Sequence, residues 1–125
     1  MLNSENIESL FGQLRKKITL ESDQMDLIKK ITSLSDEITK LKTEKEYLET
    51  SVKIAESLLE FYGYSFSKTE RFDTLNLVRD CDRELKELAK QIMIKADRLD
   101  KYTLMLDYLS YPTIKKIAEV RMKNK

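Results

Sequence analysis

Two carboxylate pairs, Asp80 with Asp82 and Glu44 with Glu46, and the single thiol of Cys81 are the side chains whose types most invite a chemical reading. A carboxylate pair can share a proton or hold a cation. A spacing of two, however, sends its members to different faces of a helix, and no calcium-loop pattern surrounds either pair. They read as solvated helix surface. Cys81 has no second cysteine to pair with and no adjacent cation, so it reads as a small buried filler rather than a nucleophile or redox centre. The chain contains no histidine, which removes the commonest general base, the Ser-His and Cys-His nucleophile pairs, and the usual zinc and di-iron ligand sets. With Gly12 and Gly63 as its two glycines, no phosphate-cradling loop can be built. The expectation is a protein that is not an enzyme, with no cofactor, no metal and no small-molecule substrate.

What remains is binding chemistry. Phe61, Tyr62, Tyr64, Phe66 and Phe72 form an aromatic cluster that suits three roles: a plug closing the end of a helical pair, a docking knob, or a stacking platform for bases. Few cations interleave it, so the platform is the poorest fit and the plug the expected one. Residues 112–125 carry Lys115, Lys116, Arg121, Lys123 and Lys125 against Glu119, a net charge of about +4 on an amphipathic segment. These five are the candidate contacts for a polyanion, although a solvated basic tail fits the same pattern. The whole chain has 23 basic and 22 acidic residues, so it lacks a net field to steer it towards nucleic acid or anionic lipid.

These groups must be positioned by helices. With 36% charged residues, two glycines and one proline, the composition is that of long helices rather than an ordinary globule. From Leu27 to Tyr62 apolar residues recur in an alternating three-and-four step: Leu27, Ile31, Leu34, Ile38, Leu41, Leu48, Val52, Ala55, Leu59 and Tyr62, with Lys45 the one interruption. This is a heptad seam, with Ile31, Ile38, Val52 and Leu59 at a, and leucine at most d positions. Gly63 is placed to end the helix in a left-handed turn. Ser67 and Glu70 have the form of a capping box that starts a second long helix near Lys68. The seam resumes there, with Val78, Leu85, Ile92, Leu99 and Leu106 at a, and Cys81, Leu88, Lys95, Tyr102 and Leu109 at d. It ends before Pro112, which belongs in the first turn of a last helix carrying Ile114, Ile117 and Ala118 on one face. At the other end, Asn3 or Ser4 caps a short helix with Ile7, Leu10, Phe11, Leu14 and Ile18 on its apolar face. A break is expected around Thr19 to Ser22.

Two arms of similar length around a short turn predict an all-α fold: an elongated helical hairpin or coiled coil with short flanking N- and C-terminal helices. Its parts are residues 1–21, a hairpin over 22–111 with its turn at 63–69, and residues 112–125. An antiparallel register that sets Leu48 against Leu85, Leu41 against Ile92, Leu34 against Leu99 and Leu27 against Leu106 centres the turn on Phe66 and Ser67, and it brings Glu37 near Arg98. The competing arrangements are a parallel pair, favoured by β-branched residues at several a positions, leucine at most d positions and the a-position lysine, and an arrangement determined by a partner.

The e positions differ between the arms. The first has Ser35, Lys42, Glu49 and Glu56, whereas the second has Asp82, Ala89, Ala96, Thr103 and Ser110. Small residues beside the seam, with Met93 and Met105 close by, mark Ala89, Met93, Ala96, Thr103 and Met105 as the expected partner flank. The function expected is a non-enzymatic coiled-coil subunit that assembles with other helical proteins, as hetero-oligomer first and homo-oligomer second. A cytoskeletal, spindle or kinetochore-type or tethering complex suits that shape. A nucleic-acid-binding adaptor using the basic C-terminal segment is the alternative. The amino terminus has no apolar core of signal-peptide length and no apolar run is long enough for a membrane span, so the expected location is intracellular, cytoplasm or nucleus.

Overall fold

The computed structural model describes residues 3–18 and 21–123. The fold is all-α, with helices α1 (Ser4–Lys16), α2 (Glu21–Tyr62), α3 (Lys68–Ser110) and α4 (Ile114–Lys123), and α2 and α3 pack against each other as a helical hairpin. The chain forms two compact units. One is Asp36–Ala96; the other joins Met1–Ser35 with Asp97–Lys125.

In the unit Asp36–Ala96, the seam residues Leu48, Cys81 and Leu88 form a buried cluster on which Leu41, Val52 and Leu85 pack. Ile38 and Ala55 are buried as well. These are a and d positions of both arms, and the cluster fits the expected antiparallel register. The unpaired Cys81 is buried in it. Lys95, a d-position lysine, reaches the g-position Glu37 of α2 at 2.9 Å, so its cation stays at the edge of the seam. Lys45 is partly buried and pairs with Glu49 at 3.7 Å along its own helix.

The turn differs from expectation at one point. α2 stops at Tyr62 as its glycine predicts, but Gly63 is not left-handed: it opens a 3-10 turn, Gly63–Ser65. Side chains close the helix end instead, because Ser65 Oγ donates to the Tyr62 carbonyl at 2.8 Å and Arg71 Nε donates to the Gly63 carbonyl at 2.9 Å. The capping box then forms in both directions. The Glu70 N–H donates to Ser67 Oγ at 3.1 Å, and the Ser67 N–H donates to Glu70 Oε1 at 3.3 Å.

In the other unit, Leu34, Leu109 and Ile117 are buried. Asn3 caps α1, its Oδ1 accepting from the Asn6 N–H at 2.8 Å. The face of α1 turned inward is Ile7, Glu8, Phe11, Gly12 and Arg15, so Leu10, Leu14 and Ile18 of the expected apolar face are largely exposed. The reason is polar. Arg15 Nη2 donates to the Leu109 carbonyl at 2.8 Å, and Glu8 Oε1 accepts from the Ile114 N–H at 2.9 Å, so α1 is rotated to cap the exit of α3 and the start of α4. Phe11 and Tyr108 meet edge to face, and the Tyr108 hydroxyl donates to the Phe11 carbonyl. Pro112 lies two residues ahead of α4 rather than in its first turn, with the Thr113 carbonyl accepting the first helical bond from Ile117. Ile117 is buried and Ile114 partly buried, but Ala118 is exposed; Val120 and Arg121 complete that face. Of the break expected at Thr19 to Ser22, Thr19 and Leu20 are outside the described residues, and Glu21 and Ser22 already belong to α2.

Candidate interaction surfaces

The expected seam is largely consumed inside the chain. Leu34, Ile38, Leu48 and Leu88 are buried, and Leu27, Ile31, Leu41, Val52, Leu85, Ile92, Leu99, Tyr102 and Leu106 are partly buried. Lys30 lies over the Tyr102 ring at 5.6 Å. A hairpin that satisfies its own seam has only its flanks left for another protein.

On the flank expected to receive a partner, Ala89 and Ala96 are exposed and Met93 is 72% exposed. Thr103 is partly buried with its hydroxyl bonded to the Leu99 carbonyl, while Met105 lines a groove described below. Of the basic residues near the carboxyl end, Lys115, Lys116 and Lys123 are exposed, and Lys125 is outside the described residues. Arg121 is turned inward. Its Nη2 lies 3.3 Å from Asp107 Oδ2, an ion pair that lacks the alignment of a hydrogen bond.

A groove of about 350 Å³ is lined by Phe11, Leu14 and Ile18 from the first segment, Leu104, Met105 and Tyr108 of α3, and Ile114 and Ile117 of α4. All of these are apolar or aromatic, so the groove suits an apolar side chain.

The aromatic cluster is not the expected plug. Phe61, Tyr62, Tyr64 and Phe72 are each more than half exposed, and Phe66 is partly buried. Phe61 belongs to an outward stripe along α2. With Val52 at a, Tyr47, Ile54 and Phe61 fall at c, and Ser51 and Leu58 at g, giving steps of four, three, four and three. This is a second heptad seam beside the first. Tyr47 is 71% exposed, Ile54 57% and Phe61 64%, and Ile54, Leu58 and Phe61 line a shallow depression of about 280 Å³ with Thr50, Lys53, Ser57 and Tyr62. The spacing was present in the sequence. It is hidden by the stronger a/d pattern, because a stripe half as long is outweighed wherever one phase is assigned per helix.

Among the described residues no group of three or more His, Cys, Asp or Glu side chains is placed to hold a metal ion, and no helix is long and apolar enough to cross a membrane. Comparison with family models, with curated proteins and with solved structures finds no match to this chain.

Proposed function

We propose that this protein is a non-enzymatic assembly subunit that joins other helical proteins in an intracellular complex, of which cytoskeletal, spindle and tethering assemblies are the kinds its helical hairpin suits. The observation carrying this reading is the second seam. A helix whose inner stripe is already buried keeps Tyr47, Ile54, Leu58 and Phe61 on its outer side, where a solitary hairpin gains nothing from them. Large apolar residues at coiled-coil spacing are what a further helix needs to pack. Recovery of the full chain from its native cell tests the reading. Stoichiometric helical partners, retained from low to moderate salt, are expected. A lone chain would overturn it, and recovery with nucleic acid lost steeply as salt rises would favour the adaptor acting through Lys115, Lys116 and Lys123.

A further inference from the structure

Within the unit Asp36–Ala96, the ion pair of Lys95 at d with Glu37 at g identifies the flank on which the g positions of both helices lie. The antiparallel register puts Leu77 of α3 across from Leu58 there, and Leu77 is half exposed. From Tyr47 to Phe61 the c, f and g positions of α2 carry no charge, whereas Glu46, Glu49, Lys53, Glu56 and Glu60 occupy b and e. The α3 side is the opposite. Its c and g positions next to Leu77 are Asp73, Asp80, Glu84 and Glu87, all exposed and with no basic residue among them.

We propose that this flank is a docking groove for one amphipathic helix of a partner protein, with apolar residues at three- and four-residue spacing and Lys or Arg along the edge that meets α3. The proposal rests on the assembly reading and names the partner's chemistry. The floor runs for about 21 Å at 1.5 Å per residue, the length of four helical turns. Two serines of the floor already have partners, because Ser51 Oγ donates to the Tyr47 carbonyl at 2.9 Å and Ser57 Oγ to the Lys53 carbonyl at 2.7 Å. The acidic wall repels nucleic acid and anionic lipid and favours a cationic edge. A second copy offering the same stripe brings Glu46 and Glu60 with Lys53 as its one cation, a net acidic edge and a poor match for that wall. The chain itself uses the proposed chemistry elsewhere: α4 is a basic amphipathic helix that packs by Ile117 and sets Arg121 beside Asp107 of α3.

The test uses the full chain and two labelled helical peptides of about three heptads, identical at a and d, with lysine at e and g in one and glutamate in the other. Fluorescence anisotropy should show the lysine peptide binding at least about tenfold more tightly, with the margin narrowing as salt rises. Ile54→Ser with Leu58→Ser should abolish that binding at unchanged helicity, since both residues are exposed. Asp80→Lys with Glu84→Lys balances the remaining Asp73 and Glu87, so the preference for lysine should be lost, independently of the apolar floor. Equal binding of the two peptides, binding of neither, or an unchanged preference in the charge-reversed chain would overturn the proposal. So would sedimentation showing a dimer that Ile54→Ser with Leu58→Ser dissociates. Native helical partners still recovered with that variant would remove this groove and leave the assembly reading standing, whereas the absence of any helical partner for the unaltered chain removes both.

Discussion

The two compact units face the same shortage, because one seam between two helices encloses little: among the described residues no large side chain is fully buried. The unit joining Met1–Ser35 with Asp97–Lys125 meets it with extra helices. There α1 and α4 bring Phe11 and Ile117 to α3, and Arg15, Glu8, Tyr108 and Arg121 tie the pieces together through polar contacts across long stretches of sequence. The unit Asp36–Ala96 has the two arms and their turn alone, and it leaves Tyr47, Ile54, Leu58 and Phe61 uncovered. The contrast teaches that a two-helix seam leaves apolar residues that only a further helix can cover. One unit covers part of its own with α1 and α4, and in the other the stripe on α2 stays open.

The sharpest break in this comparison comes from two aliphatic truncations on the same helix. Leu48→Ala, in the buried cluster, should lower the unfolding free energy in urea by about 2 to 5 kcal/mol, whereas Ile54→Ala should cost less than about 1 kcal/mol in the isolated chain. Similar losses would mean that the stripe is already covered in solution. Phe11→Ala should come next, at about 2 kcal/mol, because its ring is partly buried against Tyr108. Its signature is local. Amide exchange should accelerate in α1 and α4 while Asp36–Ala96 keeps its protection, and uniform acceleration would show that the units are not separable.

Smaller effects refine the two-helix unit. Ser67→Ala removes one half of the reciprocal cap and should cost about 1 kcal/mol by urea unfolding, with fraying confined to the start of α3. A double-mutant cycle on Lys95 and Glu37 should give a coupling of about 0 to 1 kcal/mol that shrinks in salt, since both side chains are substantially solvated. A larger, salt-insensitive coupling would place this pair in a drier environment than the flank described.

Much of the fold could be read directly from residue spacing. The alternation of leucine and isoleucine at a and d matches the observed burial from Leu27 to Leu59, and the Ser67 and Glu70 cap lies within four residues, so both follow from local periodicity and hydrogen-bonding geometry. At Tyr62 the pattern fails. The position has d spacing, but the register sets it opposite Arg71, a cation whose Nε is bonded to the Gly63 carbonyl, and it is exposed. The candidate surface was less legible for a related reason: Tyr47, Ile54 and Phe61 are as apolar as seam residues, and their spacing alone does not say which stripe the second arm takes.

By itself the sequence determined the all-α fold, the place of its turn, most of its core residues and the absence of histidine and of a glycine-rich loop, because each depends on residue type and on contacts made at helical repeat distances, while the choice of hairpin over parallel pair waited on the tertiary structure. Tertiary structure decided the rotation of α1, which Arg15 and Glu8 set through partners 94 and 106 residues away. It also decided the inward turn of Arg121 towards Asp107 and the choice of which apolar stripe on α2 stays open. Those outcomes rest on which surfaces meet in space. A helix with two apolar stripes can bury either, and the number of helices within reach selects between them.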